Sequence, residues 1–370
     1  MKYIFSCGGT AGHIYPAIAI ANYLKNEYGA EILFIGSDGN MECSIVPENG
    51  FDIKTVSITN LSRSFSIDGI RHNACTIRNV LVSASKAKKI IKDFSPDAVI
   101  GTGGYVCYPV LLAANKLGIP TVVHESNAYP GLTTRMTASF ADRILVGVRD
   151  AVNAYSDKKK VIFTGTPVRE EFNGLDKDKC KTELGINSKL LLSFWGSLGS
   201  GYMNDIFLKI IPELPLDNDF RIIHVTGKRY FSGFMEKLKL ICPDYEKRNV
   251  EIVEFIPDIP RYMAAADLIC CRAGASTLSE LCYIGKPSVL VPSPNVTNNH
   301  QEKNARVLEW RGAAKVMLES EFDSDKFLQA IGSLISDDSA LNEMSECSKS
   351  LANYTSVKDI SGIIISLKGK

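Results

Sequence analysis

The chain has 370 residues, 45% of them hydrophobic and 22% charged, with a formal net charge of +1. That length suits two domains with a core each, and a near-neutral balance excludes bulk electrostatic binding of nucleic acid. No apolar run approaches the ~20 residues of a membrane span, residue 8 already lies in a glycine turn rather than a signal peptide, and the ten cysteines form no CxxC pair, which reads as reduced core thiols.

Short apolar strands alternate with helical stretches, which predicts parallel α/β sheets. Strands are expected near 2–7, 31–35, 53–58, 97–101, 120–124, 143–148 and 160–164, then near 189–194, 220–225, 250–255, 267–271, 287–292 and 314–318. The first strand runs into Gly8-Gly9-Thr10-Ala11-Gly12-His13. A helix follows, with Ile14, Ala17, Ile18, Ala21, Leu24 and Tyr28 at helical spacing and Pro16 in its first turn. The device recurs where Leu190-Leu191-Leu192-Ser193-Phe194 leads past Trp195 into Gly196-Ser197-Leu198-Gly199-Ser200. A strand, a glycine turn and a helix start aim backbone N–H groups at one point, an arrangement that binds phosphate. Two copies predict two nucleotide-fold domains with a cleft between them. The boundary is placed after the basic patch Lys158-Lys159-Lys160, giving an N-terminal domain over 1–164 and a C-terminal one over 165–345. A last helix, about 346–370, is expected to cross back onto the first domain.

Five segments at expected strand ends carry candidate chemistry. In the first turn, Thr10 and Gly12 offer a close backbone approach, and His13 stands at the turn-to-helix junction, a good place for a general base; a plain polar helix-start residue is the alternative. Gly101-Thr102-Gly103-Gly104-Tyr105 follows the fourth strand and holds more glycines than a tight turn needs. His124-Glu125-Ser126-Asn127 places hydrogen-bonding side chains at the next strand end, with His124 equally readable as a satisfied structural histidine. Beyond Cys271, Ser276 and Thr277 would present hydroxyls and N–H groups to a phosphate, and Glu280 would suit a ribose diol. Thr277 and Glu280 also match a helix capping box. Gln301 and Asn304 in a polar loop could read hydroxyl groups, with an ordinary exposed loop as the alternative.

These segments together resemble the MurG family, the bacterial transferases that add N-acetylglucosamine to lipid I. The resemblance is carried by GGTAGHIYPAIAIA at 8–21, GTGGYVCYP at 101–109, HESNAYPGLTTR at 124–135, GTPVR at 165–169, CRAGASTLSE at 271–280 and HQEKNA at 300–305. It implies a GT-B glycosyltransferase fold, two Rossmann-like domains with parallel sheets facing across a cleft. It also implies inverting transfer from UDP-N-acetylglucosamine to the muramyl 4-hydroxyl of undecaprenyl-pyrophosphoryl-MurNAc-pentapeptide. His13 is then the candidate base, with His124 as runner-up. Thr10, Gly12, Arg169, Ser197, Ile256, Ser276, Thr277, Glu280 and Gln301 would serve the donor. Gly103, Gly104, Tyr105, Glu125 and Asn127 would serve the acceptor. The sequence departs from the family pattern at Trp195 and Tyr108, bulky where small residues are usual, and at Thr166 in place of a common asparagine; the bulky pair is expected to narrow the cleft or alter how the donor sits. No metal-ligand spacing is present and none is required, with magnesium left open.

A lipid-tailed acceptor implies a peripheral protein on the cytoplasmic face of the cell membrane. The candidate contact is Ile70, Ile77, Val80 and Leu81 beside Lys86, Lys88, Lys89 and Lys92, suited to an anionic surface. An amphipathic helix packed on its sheet is the alternative. Three rival functions remain at this stage: a GT-B transferase with another lipid acceptor, a UDP-N-acetylglucosamine 2-epimerase, and a non-catalytic sugar-nucleotide-binding protein.

Overall fold

A computed structural model of the chain describes residues 1–58, 67–196, 198–216 and 218–368, with the side chains of 67–78 outside that description. The first sheet comprises β1 (Lys2–Cys7), β2 (Glu31–Ser37), β3 (Asp52–Val56), β4 (Ala98–Gly103), β5 (Thr121–Glu125), β6 (Arg143–Val146) and β7 (Val161–Phe163). Its spatial order is β3-β2-β1-β4-β5-β6-β7, and the paired strands are parallel. The helices between them are α1 (Ala11–Tyr28), α2 (Glu42–Glu48), α3 (Ile67–Phe94), α4 (Cys107–Lys116) and α5 (Leu132–Ala138). Tyr3, Ile4 and Phe5 are fully buried in succession, as expected of a strand covered on both faces by helices.

The second sheet comprises β8 (Lys189–Phe194), β9 (Phe220–Val225), β10 (Val250–Val253), β11 (Leu268–Cys271), β12 (Ser288–Leu290) and β13 (Lys315–Val316), in the order β10-β9-β8-β11-β12-β13. Its helices are α6 (Lys177–Glu183), α7 (Gly201–Ile210), α8 (Phe231–Ile241), α9 (Ile259–Ala265), α10 (Ala275–Tyr283), α11 (His300–Trp310), α12 (Ser324–Ser336) and α13 (Asp338–Ser350). All thirteen expected strands are present, each within a few residues of its expected place.

The chain divides into one unit of Met1–Arg169 with Asn353–Lys370 and another of Glu170–Ala352. The first unit extends past 164 because Thr164 and Gly165 are bonded into it. Thr164 N–H donates to Val146 O at 3.1 Å, and Gly165 O accepts from the His124 ring at 3.0 Å. The chain returns later than about 346. Helix α13 stays with the second unit, where Ser345 Oγ donates to Gly285 O at 2.7 Å. The return begins at Asn353, whose side-chain amide donates to Thr164 O at 2.7 Å. A final helix, α14 (Ser356–Ser366), then buries Ile360 and Ile364 in the same apolar cluster as Ile14 and Leu24 of α1.

Candidate active site

Each sheet reverses its strand order once, between β1 and β4 in the first and between β8 and β11 in the second. In open α/β sheets ligands bind outside the carboxyl ends of the strands at such points. All four glycine-bearing or hydroxyl-bearing turns flanking the reversals, after Cys7, Gly103, Phe194 and Cys271, are segments singled out above.

In the first unit the two glycine turns pack directly on one another. Gly8 N–H donates to Gly103 O at 3.2 Å, and a Cβ on Gly104 would overlap the Gly8 carbonyl. A Cβ on Gly103 would overlap the imidazole of His13 along its Nδ1–Cε1 edge. The second turn therefore carries glycines so that the first turn and the His13 ring can lie against it. Thr102 Oγ1 donates to His13 O at 2.7 Å and ties the start of α1 to β4. Thr10 is exposed, and its hydroxyl makes no capping bond to α1. The Arg169 guanidinium lies 5.1 Å above the ring of Tyr15, two residues beyond His13.

The segment after β5 behaves differently from a hydroxyl-reading loop. Glu125 is 4% exposed; one of its oxygens accepts from the Asn127 backbone N–H (3.0 Å) and side-chain amide (2.8 Å), the other from Gly131 N–H (2.9 Å). The carboxylate thus folds the 126–131 loop around itself. His124 is fully buried. Its Nε2 faces the Gly165 carbonyl at 3.0 Å and so carries the proton, while Nδ1 meets Ser126 Oγ at 3.4 Å. Burial lowers its pKa, partly countered by the Gly165 carbonyl and Glu125, and the nearby His13 pushes it further down. Of the two readings of His124, this geometry is that of the satisfied structural histidine. Tyr105 is half-buried beside the turn, and Tyr108, also half-buried, packs on Phe140 with ring centroids 6.2 Å apart.

In the second unit Ser276 and Thr277 stand half-buried in the first turn of α10. Gly274 is the N-cap of that helix, so Thr277 is its third residue and cannot head a capping box with Glu280. Glu280, one turn on, is 8% exposed. Gln301 in the first turn of α11 accepts from Ser293 N–H through Oε1 at 2.8 Å, which leaves its amide N–H groups as the donors to offer. Asn304 is 3% exposed and bonds Ala273 O at 3.4 Å, holding α11 to the turn before α10. Ile256 is buried just beyond β10, beside the exposed Phe255. Ser197 lies outside the described residues.

Trp195 does not protrude as its bulk suggested. It is 3% exposed within the core, near Phe207, with the Arg272 guanidinium 5.7 Å above its ring. Arg272 is a hub that sequence reasoning passed over. It donates to Val291 O (3.0 Å), Pro292 O (3.3 Å) and Ser200 Oγ (2.6 Å), and pairs with Glu319 at 2.5 Å. Ser200 is in turn the N-cap of α7. A second omission is the buried chain Ser193–His224–Asn204. His224 meets Ser193 Oγ and Asn204 Oδ1 at 3.0 Å each, and Asn204 donates to Thr226 O at 3.2 Å. Neither omission has a local signal, because the partners lie tens of residues apart.

On α3, Leu81 and Val82 are 60% and 58% exposed, Val80 is half-buried, and Lys86, Lys88, Lys89 and Lys92 are exposed. The side chains of Ile70 and Ile77 lie outside the described residues. Among those residues no helix is long and apolar enough to cross a membrane.

Residues 3–146 match the glycosyltransferase family 28 N-terminal domain, and residues 190–360 match the family 28 C-terminal domain. A protein of Acetivibrio thermocellus named UDP-N-acetylglucosamine–N-acetylmuramyl-(pentapeptide) pyrophosphoryl-undecaprenol N-acetylglucosamine transferase is 41% identical over 367 residues, 98% of this chain and 97% of that protein. One of the same name from Caldanaerobacter subterraneus subsp. tengcongensis is 42% identical over 358 residues, 95% and 96% of the two chains. The crystal structure of Acinetobacter baumannii MurG superposes with a TM-score of 0.78 at 24% identity, covering 99% of each chain, and matches in fold. Two Rossmann-like units with these matches make a GT-B glycosyltransferase fold, and the chain belongs to the MurG family of glycosyltransferase family 28.

Proposed function

We propose that this chain is an inverting hexosyltransferase that moves N-acetylglucosamine from UDP-N-acetylglucosamine to the muramyl 4-hydroxyl of lipid I, giving lipid II for peptidoglycan synthesis. The observation that carries this reading is 41–42% identity over almost the whole chain to transferases of that name. It removes the support for the epimerase, the non-catalytic binder and a different lipid acceptor.

The chemistry asks for a base at the acceptor hydroxyl and for stabilisation of charge on the departing diphosphate. We assign the base to His13 Nε2. As the hydroxyl oxygen bonds to the anomeric carbon, its proton passes to the imidazole, the bond from that carbon to the diphosphate oxygen breaks, and UDP leaves with the electron pair. The α10 N-terminus with Ser276 and Thr277 takes the diphosphate charge. Glu280 holds the ribose hydroxyls, the amide N–H groups of Gln301 a sugar oxygen, and the backbone at Ile256 the uracil edge. The packed turns with Gly103, Gly104 and Tyr105 receive the acceptor diphosphate, while Glu125 and Asn127 shape the adjoining loop.

We place the membrane contact on α3, where Leu81 and Val82 precede the lysines on an exposed face. Lys86 also lies near Asp38, whose carboxyl is held below its usual range chiefly by the Ser57 hydroxyl, whereas Lys88 and Lys89 form no ion pair among the described residues. Each would add ~1 kcal/mol at an anionic surface.

The deciding assay supplies labelled UDP-N-acetylglucosamine and a short-chain lipid I analogue, with and without EDTA. A disaccharide product with UDP release, retained in EDTA, is the expected result. Donor binding without product, or epimerised donor without acceptor, would overturn the assignment.

A further inference from the structure

The first glycine turn is not held by glycines alone. Glu42, the first residue of α2, is fully buried behind it. Its Oε1 accepts from Ser37 N–H at 2.9 Å and from Ser37 Oγ at 2.5 Å. Its Oε2 accepts from Gly9 N–H at 3.1 Å. A Cβ on Gly8 would sit 2.5 Å from Oε1, and one on Gly36 would sit 2.6 Å from Cγ. Two glycines, one on either neighbouring strand end, thus leave the volume that this carboxylate fills.

A buried carboxylate needs hydrogen-bond donors around it to offset lost hydration. Here one of those donors is a backbone N–H of the turn expected to bind a phosphate. That N–H is therefore committed to an anion belonging to the protein. Gly9 has φ +84°, a conformation with few restraints of its own, and the Glu42 bond supplies one. His13 starts four residues later and rests on Gly103, so a shift of the turn moves the ring relative to β4.

We propose that Glu42 is a positioning residue for transfer: its carboxylate sets the Gly8–Gly9 turn, and through it the placement of His13 and of the acceptor diphosphate. This rests on the reading of the N-terminal turns as the acceptor side. A glutamine cannot replace it. Gln offers one acceptor oxygen and one NH2 group, so if the oxygen serves Ser37, the NH2 faces the Gly9 N–H and repels it.

The test is steady-state transfer with the lipid I analogue, alongside donor affinity and thermal unfolding, for Glu42→Gln, Ser37→Ala, Gly8→Ala and the Gly8→Ala/Glu42→Gln double variant. Glu42→Gln should cut kcat/KM for the acceptor by about tenfold to a hundredfold, the scale of a misplaced catalytic group, with donor affinity within about twofold. Ser37→Ala, which removes one of the bonds to the carboxylate and the bond Ser37 Oγ accepts from Asn40 but keeps the carboxylate, should lose less than Glu42→Gln. Gly8→Ala should act through the same carboxylate, so the double variant should fall well short of the product of the single effects. If Glu42→Gln does not fold, Ser37→Ala and Gly8→Ala decide the matter by the same readouts. Folded variants with wild-type acceptor kinetics, multiplicative effects, or equal losses of donor affinity and transfer would overturn the proposal. A wild-type protein with no transfer would instead overturn the assigned reaction.

Discussion

The two glycine turns at the two strand-order reversals look alike in sequence and are held in opposite ways. The first is backed by a buried anion, Glu42, and leans across the reversal onto the turn after β4, where Gly104 meets the Gly8 carbonyl. The second is tied from across the reversal by a cation, Arg272, through Ser200, and leans toward β9 instead. A Cβ on Gly199 would overlap Thr226 O, and one on Gly227 would lie 2.8 Å from Gly199 Cα. Glycine-on-glycine contact is thus the common device, while the charge behind it and the neighbour it meets differ. A turn backed by an anion keeps its N–H groups oriented from behind, whereas a turn tied by an ion-paired arginine is held through the N-cap serine of the helix that follows it.

The comparison breaks most sharply at the residue that only one turn carries. His13→Ala should lower kcat by about a hundredfold to ten thousandfold, the usual contribution of a general base, with donor affinity nearly unchanged. Titration calorimetry with UDP-N-acetylglucosamine checks the second half, and near-normal turnover would remove His13 from the mechanism.

Acidification should separate the units next. Each sheet holds a fully buried histidine, His124 in β5 and His224 in β9. Burial alone pushes His224 down from 6.5 to about 3, whereas His124 is partly held up by the Gly165 carbonyl and Glu125. The unfolded chain takes up a proton below its ordinary pKa of 6.5 while folded His224 stays neutral to about 3. Stability of the second unit is therefore full above pH 6.5 and falls as pH drops, by roughly 4 kcal/mol at pH 3. Denaturant titrations at stepped pH, read by a probe in each unit, should show the second unit failing first.

Arg272→Ala should destabilise the second unit by roughly 3 kcal/mol, because Glu319 would be left largely buried without its partner. Arg272→Lys should recover only part, since one ammonium cannot reach all four oxygen partners. Urea unfolding of the variants measures both, and an unshifted midpoint for Arg272→Ala would refute the hub. The smallest effect is expected at Glu280→Ala, a loss of ~2 kcal/mol in donor binding with stability nearly unchanged, since no capping box is lost. Unchanged donor affinity would return Glu280 to a purely structural role.

Much of this was readable along the chain because parallel α/β sheets leave local signatures. A buried strand is a short apolar run, a helix start after it is a glycine or hydroxyl turn, and both recur at fixed intervals. The 8–13, 101–105, 196–200 and 271–280 segments were found in that way. The residues that brace them were not. Glu42 meets Gly9 33 residues away, Arg272 meets Ser200 72 residues away, and His224 meets Asn204 20 residues away. Nothing in a short window marks such partners. The same blindness explains Trp195 and His124. Sequence shows their size and polarity, but only packing shows that one side chain turns into the core and that the other spends both ring nitrogens on Gly165 and Ser126.

By itself the sequence determined the two-unit α/β organisation, the strand-end placement of the chemistry-bearing turns and the family, since each depends on periodicity and motif order. The tertiary structure alone decided which charge stands behind each turn, that His13 rests on Gly103, that Gly274 rather than Thr277 caps α10, and that the chain rejoins the first unit at Asn353. Those facts depend on volumes and hydrogen-bond donors supplied by distant segments, which come together only when the sheets form.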